Sequence, residues 1–188
     1  MSDMRVSQKS SFEIEQVALS VRDLFGMYND HCPEIVWALE AKLPTIIKEF
    51  ALIPDGSALS PFEDAKTFYD PLRIELHESL YTGALSGVPL ARHTLGHETG
   101  HVFLHRDQAK AWDMRRKEIK SREHSAEWQA NEFSYHYLCP RHIVYQYESI
   151  EEIEHWLKVP RKLAERAFKE YSTKPREIPT YLRDILGF

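Results

Sequence analysis

The stretch that decides the fold reads Arg-His-Thr-Leu-Gly-His-Glu-Thr-Gly-His-Val-Phe-Leu-His and runs from Arg92 to His105. It contains a histidine and a glutamate, His97 and Glu98, followed after two residues by a second histidine, His101. At 3.6 residues per turn the two histidines lie one above the other on one helix face, so both imidazoles can converge on one metal ion beside the carboxylate. Zinc hydrolases use this pattern, because a third ligand leaves one position open for water and the carboxylate takes the proton of that water.

Histidines recur at every fourth position of this predicted active-site helix, which we place near residues 91–106. A stripe of His93, His97, His101 and His105 offers other pairs at ligand spacing, but only the central pair encloses a glutamate. We therefore interpret His93 and His105 as packing residues or as residues that support the ligands. Short patterns of this kind also arise by chance, so the interpretation depends on a third ligand.

A second strongly helical run, near residues 124–138, offers the third ligand. Glu127 opens this run and lies 26 positions after His101. In zinc proteases whose third ligand is a glutamate, that residue lies on a following helix, and a small or polar residue four positions later supports a ligand histidine. Asn131 occupies that place. A lone glutamate on a helix is ordinarily a solvent-exposed residue, but its position after the motif favours Glu127 as a metal ligand.

Two blocks of the sequence together resemble a known family. The block Thr-Leu-Gly-His-Glu-Thr-Gly-His-Val-Phe-Leu-His, from Thr94, resembles the signature Thr-Leu-Ala-His-Glu-Leu-Gly-His-x-Leu-Leu-His of the ImmA/IrrE family of metallo-endopeptidases. The block from Glu127 to Pro140 is similar to that family's Glu-x-x-Ala-Asn-x-Phe-Ala-x-x-Leu-Leu-Met-Pro. The resemblance covers residues 72–140 well and the flanks more loosely.

The sequence departs from the family pattern at four positions where Ala, Leu, Ala and Met are usual, and these are Gly96, Thr99, Ser134 and Cys139. None of these departures removes a ligand or the carboxylate. They bear on packing rather than on chemistry.

The resemblance implies a zinc-dependent endopeptidase with an α+β, zincin-like fold of the gluzincin type. The expected architecture is a small antiparallel sheet, an active-site helix, a following glutamate helix and a helical C-terminal part. One Zn²⁺ per chain would be held by His97, His101 and Glu127, and Glu98 would be the catalytic carboxylate. Family members with known roles cut helix-turn-helix repressors, so the resemblance implies a protein substrate of that class, a transcriptional repressor.

We expect the chain to form one metallopeptidase domain over residues 1–188, because this length buries a sizeable core without disulfides. The N-terminal helices would occupy residues 1–50, the catalytic core residues 51–140 and a C-terminal helical subdomain residues 141–188.

Composition restricts the class of protein and its compartment. The net charge of −5 is too small to recruit nucleic acid or an anionic membrane by a global field. The two cysteines, Cys32 and Cys139, lack the spacing of a metal site, and free thiols suit a reducing cytoplasm. The sequence contains no apolar run long enough for a transmembrane helix and no apolar signal-peptide core at its start. We therefore expect a cytoplasmic protein without a membrane partner, and the sequence indicates no oligomeric state.

The region before the motif predicts helices followed by a small hairpin. Ser10 and Glu13 have the spacing of a capping box at the start of an amphipathic helix. Residues 67–69 and 73–77 alternate as the strands of a hairpin would, with the turn at Asp70-Pro71.

Two hypotheses about the substrate follow from this predicted sheet. The first is that residues 73–81 form a sheet edge that binds the substrate backbone as an added strand. The second is that Tyr81, at the expected end of that strand, donates a hydrogen bond to the oxyanion. The glycines and proline of residues 82–90 predict a loop that leads into the active-site helix.

The C-terminal part predicts a helical hairpin over residues 149–171, which could imitate a helix-turn-helix. Residues 141–188 contain nine Lys or Arg and eight Asp or Glu, and this balance argues against direct contact with nucleic acid. We expect a link or a strand over residues 141–148 and a tail over residues 174–188 that folds back. Two alternatives to the enzyme stay open: a non-catalytic antirepressor with a structural zinc site, and a DNA-binding regulator that acts through the hairpin.

Overall fold

The computed structural model describes residues 4–109 and 121–172. In the first of these ranges an extended segment leads into a helix, α1 (Ser11–Leu24), whose first turn is capped as the sequence predicts. The Ser10 hydroxyl accepts a hydrogen bond from the Glu13 amide, and the Glu13 carboxylate accepts one from the Ser10 amide at 2.8 Å. Because both contacts satisfy amides that have no partner within the helix, the capping box fixes where α1 begins.

A broken helical segment follows α1. It consists of α2 (Ile35–Trp37), a π-helical turn (Ala38–Lys42) and α3 (Leu43–Ile46). Pro44 lies in the first turn of α3 and has no amide hydrogen, so it cannot continue the regular hydrogen-bond ladder. The interruption therefore has a local cause in the sequence.

The sheet of the described residues has three strands, β1 (Ala51–Ile53), β2 (Ala65–Tyr69) and β3 (Leu72–Leu76), in the order β1-β3-β2. β2 and β3 form the expected antiparallel hairpin, joined at Asp70-Pro71. β1 pairs with β3 in parallel, so the sheet is mixed and the prediction of an antiparallel sheet is wrong for β1. The connection between β1 and β2 is long enough to carry the chain past β3 to the other edge of the sheet. β3 can therefore return between them and pair with β1 in parallel.

Two helices separated by a tight turn follow the sheet, α4 (Glu78–Leu85) and α5 (Pro89–Ala109). The predicted loop over residues 82–90 is wrong, because both ends of that stretch are helical. Gly87, in the turn between the helices, has a positive φ of 79°, which glycine adopts without strain. Proline suits the first position of a helix because its φ is already fixed near the helical value, so α5 begins earlier than the sequence predicts.

β3 is the central strand, which overturns one hypothesis about substrate binding. Both of its sides are paired, with Ala51 opposite Arg73 in β1 and Thr67 opposite Ile74 in β2. Residues 73–81 therefore cannot accept a substrate as an added strand. The edge strand that packs beside α5 is β2.

The glutamate helix, α6 (Ala126–Leu138), follows a 3₁₀ turn (Arg122–His124). Ser125 caps α6 by accepting a hydrogen bond from a backbone amide of its first turn at 2.9 Å. The extended residues 4–10 before α1, which we call the N-terminal segment, pass beside the start of α6. There the Val6 amide donates a hydrogen bond to the His124 carbonyl at 2.8 Å.

α5 and α6 pack side by side, and a glycine allows their close approach. A Cβ atom at Gly100 would lie 3.0 Å from the Phe133 Cβ and 3.1 Å from the Ala130 Cα. α1 packs against α6 as well. The core contains buried side chains from these helices, the sheet and the π-helical turn, among them Ile14, Leu39, Ile74, Leu95, Phe133 and Leu138.

Short helices complete the described part of the chain: α7 (Arg141–Val144), α8 (Ile150–Leu157), α9 (Arg161–Ala167) and a π-helical turn (Phe168–Ser172). The helical hairpin of α8 and α9 agrees with the prediction. The alternative of a strand after Pro140 is wrong, because α7 buries Ile143 and Val144 in the core. The predicted tail over residues 174–188 lies outside the described residues.

The described residues thus form an α+β fold, as predicted, in which helices predominate. No helix within residues 4–109 or 121–172 combines the length and the apolar character needed to cross a membrane.

Candidate metal centre

The packing of α5 against α6 brings the three predicted ligands to one point. The Nε2 atoms of His97 and His101 are 3.0 Å apart. The Glu127 carboxylate lies across from them, with one oxygen 3.3 Å from His97 Nε2 and the other 3.7 Å from His101 Nε2. Each residue offers a ligand atom within 4.8 Å of the other two. This group, which we call the metal cluster, could therefore hold a metal ion.

The spacing and the donor chemistry of the metal cluster fit a divalent cation. Two imidazole nitrogens bound tetrahedrally at zinc distances would lie roughly 3.3 Å apart, close to the separation in the cluster. His97 Nδ1 lies 3.0 Å from Asn131 Oδ1, which can accept a hydrogen bond from Nδ1 and so leave Nε2, the atom that faces the cluster, to bind a metal ion when the ring is neutral. Asn131 thus contacts a candidate ligand histidine, as its spacing from Glu127 predicts. A lone pair beside a carboxylate favours a cation between them.

Charge and burial shift the pKa values within the metal cluster. Burial opposes protonation of His97, but the hydrogen bond to Glu127 and the nearby Glu98 carboxylate outweigh it and raise the pKa. The hydrogen bond to His97 is also the main reason that the pKa of Glu127 is lowered. The pKa of His101 is lowered because the ring is buried beside two other imidazoles. A neutral His101 and an ionised Glu127 are the forms that bind metals.

Glu98 lies beside the metal cluster on α5, and a residue of β2 holds it. Its side chain is nearly buried, with 6% of the residue exposed. The Thr67 Oγ1 lies 2.7 Å from one carboxylate oxygen and 3.1 Å from the Glu98 carbonyl oxygen. Burial raises the pKa of the Glu98 carboxyl, while the His97 charge and the Thr67 hydrogen bond partly oppose it. A carboxyl with a raised pKa suits a general base.

The metal cluster opens into a cleft of about 330 Å³ between α5, α6 and the segment that precedes β2. At its rim, Phe62 is 98% exposed, and Glu63 and Asp64 add carboxylates. Lys66 forms an ion pair with Glu63 at 2.9 Å, but the cleft lining itself contains no Lys or Arg among the described residues. A larger cavity of about 480 Å³ lies between α2, α4 and the start of α5 and includes no member of the metal cluster.

Of the outer histidines of the stripe, His93 contacts a serine of α6, and His105 contacts a member of the metal cluster. His93 Nδ1 lies 2.8 Å from Ser134 Oγ, and His105 Nδ1 lies 3.0 Å from His101 Nδ1. Burial is the main reason that the pKa of each ring falls to about 4. Both residues therefore contact packing partners or a ligand, in agreement with the interpretation from the sequence.

Tyr81 does not lie at the cleft, so the hypothesis that it stabilises the oxyanion is wrong. It belongs to α4 rather than to the end of a strand, and its hydroxyl donates to the Glu40 carboxylate at 2.8 Å.

Two residues of β2 reach the site without having been assigned to it from the sequence. Thr67 holds Glu98, and Tyr69 lies two positions later on the same face of the strand. The pKa of Tyr69 is raised by burial and by the negative charges of Glu98 and Glu127. Strand alternation predicts that the two side chains share a face, but no signal in the sequence indicates that this face meets α5.

Residues 60–169 match the family model Peptidase_M78, described as the IrrE N-terminal-like domain. The chain belongs to this family. The match runs from the segment before β2 into the π-helical turn that follows α9, and it confirms the resemblance to the ImmA/IrrE metallopeptidases. No curated protein and no solved structure matches the chain.

Membership of the Peptidase_M78 family supports a metallopeptidase and implies a metal ion. The metal cluster, Glu98 and Thr67 all lie within the matched residues, and the cluster could supply the site for that ion. The segment before α1, α1 itself and β1 lie outside the match.

Proposed function

We propose that the chain is a zinc-dependent endopeptidase with a zincin-like active site. In this proposal His97, His101 and Glu127 hold one zinc ion, and Glu98 is the catalytic carboxylate. The observation that carries the proposal is the convergence of three ligand atoms within 4.8 Å of one another, beside a nearly buried carboxylate, at the floor of a cleft. Zinc is the preferred ion because two imidazoles and a carboxylate match its usual ligands.

The residues of the chain divide the chemistry between them. Zinc, when bound, would polarise the substrate carbonyl and lower the pKa of water. Glu98 accepts the proton of the attacking water, since burial raises its pKa and makes it a stronger base, and then passes that proton to the leaving amine. Thr67 holds one carboxylate oxygen of Glu98 and thereby orients the other. Burial and the negative charges of Glu98 and Glu127 raise the pKa of Tyr69, so its hydroxyl stays protonated beside them.

The decisive test compares two variants of the purified protein. Glu98→Gln preserves shape and should retain zinc while peptide-bond hydrolysis falls by a factor of about 10³ or more. Glu127→Ala should lose zinc as well as activity. Zinc content is measured by elemental analysis and hydrolysis by mass spectrometry of a cleaved protein substrate. Normal cleavage by Glu98→Gln would refute the assigned mechanism.

We propose that the substrate is a helix-turn-helix repressor. The family resemblance supports this substrate class, and so does the charge of the cleft. Glu63 and Asp64 at the rim would favour basic segments, and repressors carry such segments because they bind phosphate. The test is to compare new protein N termini in cells that express the wild type or Glu98→Gln. New termini confined to helix-turn-helix proteins are expected, whereas termini spread over unrelated proteins would contradict the substrate class.

The alternative of a DNA-binding regulator is weakened by the ion pairs of the helical hairpin. Arg161 contacts Glu151, Glu154 and Glu165, so acidic residues surround one of its main cations. The alternative of a non-catalytic antirepressor predicts full biological activity in Glu98→Gln, which the same test would detect. A cytoplasmic location stays a prediction from the cysteine content.

A further inference from the structure

We propose that His105 and Gln129 are positioning residues that fix the tautomer of His101, and hence its affinity for zinc, through a directed chain of hydrogen bonds. The chain of contacts begins at the backbone of the N-terminal segment, outside the residues that match the family model. This inference rests on the proposed zinc site. It adds to that site a support from Gln129 and the Ser7 backbone, which lie outside the block from Thr94 to His105.

Three buried side chains form the contacts. His101 Nδ1 lies 3.0 Å from His105 Nδ1, and His105 Nε2 lies 3.1 Å from Gln129 Oε1. His105 and Gln129 are fully buried, and His101 is nearly so. Burial favours the neutral form of an imidazole, and a neutral imidazole carries one proton on one of its two nitrogens. The question is therefore which nitrogen of each ring carries the proton.

The orientation of the Gln129 amide answers this question. Its Nε2 donates to the Ser7 carbonyl at 2.8 Å and to the Glu123 carbonyl at 2.6 Å. Backbone carbonyls only accept hydrogen bonds, so both must face the NH₂ group. A flipped amide would place its oxygen against two carbonyl oxygens and would lose both bonds. Gln129 Oε1 therefore faces His105 and can only accept.

The proton positions then follow along the chain of contacts. His105 must donate from Nε2, so its Nδ1 carries a lone pair. The facing Nδ1 of His101 must then carry the proton and donate. His101 Nε2 is left with its lone pair, 3.0 Å from His97 Nε2 and 3.7 Å from the Glu127 carboxylate. The amide of Gln129 thus determines that His101 presents its metal-binding nitrogen to the cluster.

The two histidine ligands are supported in different ways. Asn131, which lies on the glutamate helix, accepts a hydrogen bond directly from His97 Nδ1. His101 depends on a second imidazole and on Gln129, whose amide is oriented partly by Ser7. The N-terminal segment is itself fixed to the start of α6, because the Ala126 amide donates to the Met4 carbonyl at 2.9 Å. Residues that support ligands in this way typically change metal affinity by 10–100-fold when they are replaced.

The experiment measures the zinc dissociation constant of the full chain by competition with a chromophoric chelator. His105→Phe keeps a planar ring but removes the acceptor, and we expect zinc affinity to fall by 10–100-fold. His105→Gln offers an amide oxygen to His101 and should recover most of the affinity. His136→Phe is the matched control, because His136 is also a buried histidine on a neighbouring helix and contacts Ser11 rather than the metal cluster. It should bind zinc as the wild type does.

A second measurement reads the tautomers directly. Long-range ¹H–¹⁵N NMR of the imidazole rings should show the proton of His105 on Nε2 in the wild type, and Gln129→Met should abolish this preference. Zinc affinity within twofold of the wild type in folded His105→Phe would overturn the proposal. So would a His105 ring protonated on Nδ1. If the wild type binds no zinc, the proposed function fails, and the tautomer measurement on the metal-free chain still decides whether Gln129 directs the two rings.

Discussion

Glu98 shows how a single hydroxyl on a neighbouring strand can control a proposed catalytic group. Burial raises the pKa of the carboxyl, and the Thr67 hydrogen bond acts against that shift. It also fixes the rotation of the carboxylate, because the same hydroxyl contacts the Glu98 backbone carbonyl. One residue of β2 therefore sets both the protonation and the orientation of the proposed base.

We expect Thr67→Val to raise the pH at which activity appears. The substitution keeps the shape of the side chain but removes the bond that lowers the Glu98 pKa, so the ionised base forms only at higher pH. The acid limb of the kcat/KM profile should move upward, and kcat at neutral pH should fall by about tenfold. Zinc content should be unchanged. Thr82→Val, on the surface of α4, is the control, and an unshifted acid limb in Thr67→Val would show that the hydroxyl does not act on Glu98.

Where α5 packs against α6, two residues differ from the family pattern, and their changes in size compensate for one another. The family pattern has alanine at both positions, whereas this chain has Gly96 and Ser134. A Cβ atom at Gly96 would lie 2.5 Å from Ser134 Oγ. That hydroxyl donates to the His93 carbonyl at 2.9 Å, so it cannot move aside without losing a bond. The missing methyl on one helix makes room for the extra hydroxyl on the other.

A double-mutant cycle on unfolding in urea tests this compensation. Gly96→Ala alone should destabilise the fold by about 1–2 kcal/mol, because it displaces the hydroxyl. In the Ser134→Ala background the same change should be neutral or stabilising by up to about 1 kcal/mol, since alanine favours the helix. Gly100→Ala is the contrasting control. Its neighbours are the Ala130 backbone and Phe133, so Ser134→Ala should not rescue it. Additive effects of Gly96→Ala and Ser134→Ala would contradict the compensation.

At the scale of the whole molecule, an ion pair between a half-buried arginine and a buried carboxylate joins α9 to the rest of the fold. Arg166 in α9 contacts both carboxylate oxygens of Glu132 in α6, at 2.6 and 2.8 Å. Ser11, at the start of α1, donates to the same carboxylate at 2.7 Å. Burial opposes ionisation of Glu132, but Arg166 and Ser11 outweigh it and lower its pKa. Contacts to one ionised carboxylate therefore join α1, α6 and α9, which are far apart in the sequence.

We expect Arg166→Met to destabilise the protein by about 1–2 kcal/mol at pH 7, because the buried Glu132 carboxylate loses its cationic partner and keeps the Ser11 hydrogen bond. The folded pKa of Glu132 is lowered in the wild type, so its stabilisation is complete above the unfolded pKa and is lost as pH falls through the folded pKa. The difference between variant and wild type should therefore shrink at acid pH. Urea unfolding at several pH values measures it. Arg161→Met, whose partners are exposed, should change nothing measurable, and a difference for Arg166→Met that does not depend on pH would contradict this account.

Zinc should also stabilise the whole fold, because the ligands come together only when α5 packs against α6. Binding to the folded state alone contributes about 2.7 kcal/mol when free zinc is a hundredfold above Kd. This corresponds to a rise in Tm of roughly 5–11 °C for a chain of this size. Thermal unfolding with zinc and then with a chelator measures the rise. Glu127→Ala should show little of it, and an equal rise in that variant would mean that zinc binds elsewhere.

The sequence by itself determined the parts of the site that lie within one helix. Helical periodicity places His97 above His101, with Glu98 beside them, and it places Asn131 one turn after Glu127. Local chemistry likewise fixed the capping box of α1, the Ser125 cap and the hairpin turn at Asp70-Pro71. These features depend only on residues that are close together in the sequence, so the sequence specifies them without knowledge of the fold.

Only the tertiary structure decided which faces and edges meet. Strand alternation put Thr67 and Tyr69 on one face, but pairing in the sheet made β3 central and turned that face of β2 toward α5. The contact between His105 and Gln129 joins two helices, and the Ser7 carbonyl that orients Gln129 lies 122 positions away. Such contacts result from packing that buries apolar surface while it gives most buried polar groups a hydrogen-bond partner. That balance involves the whole chain, and no local pattern encodes it.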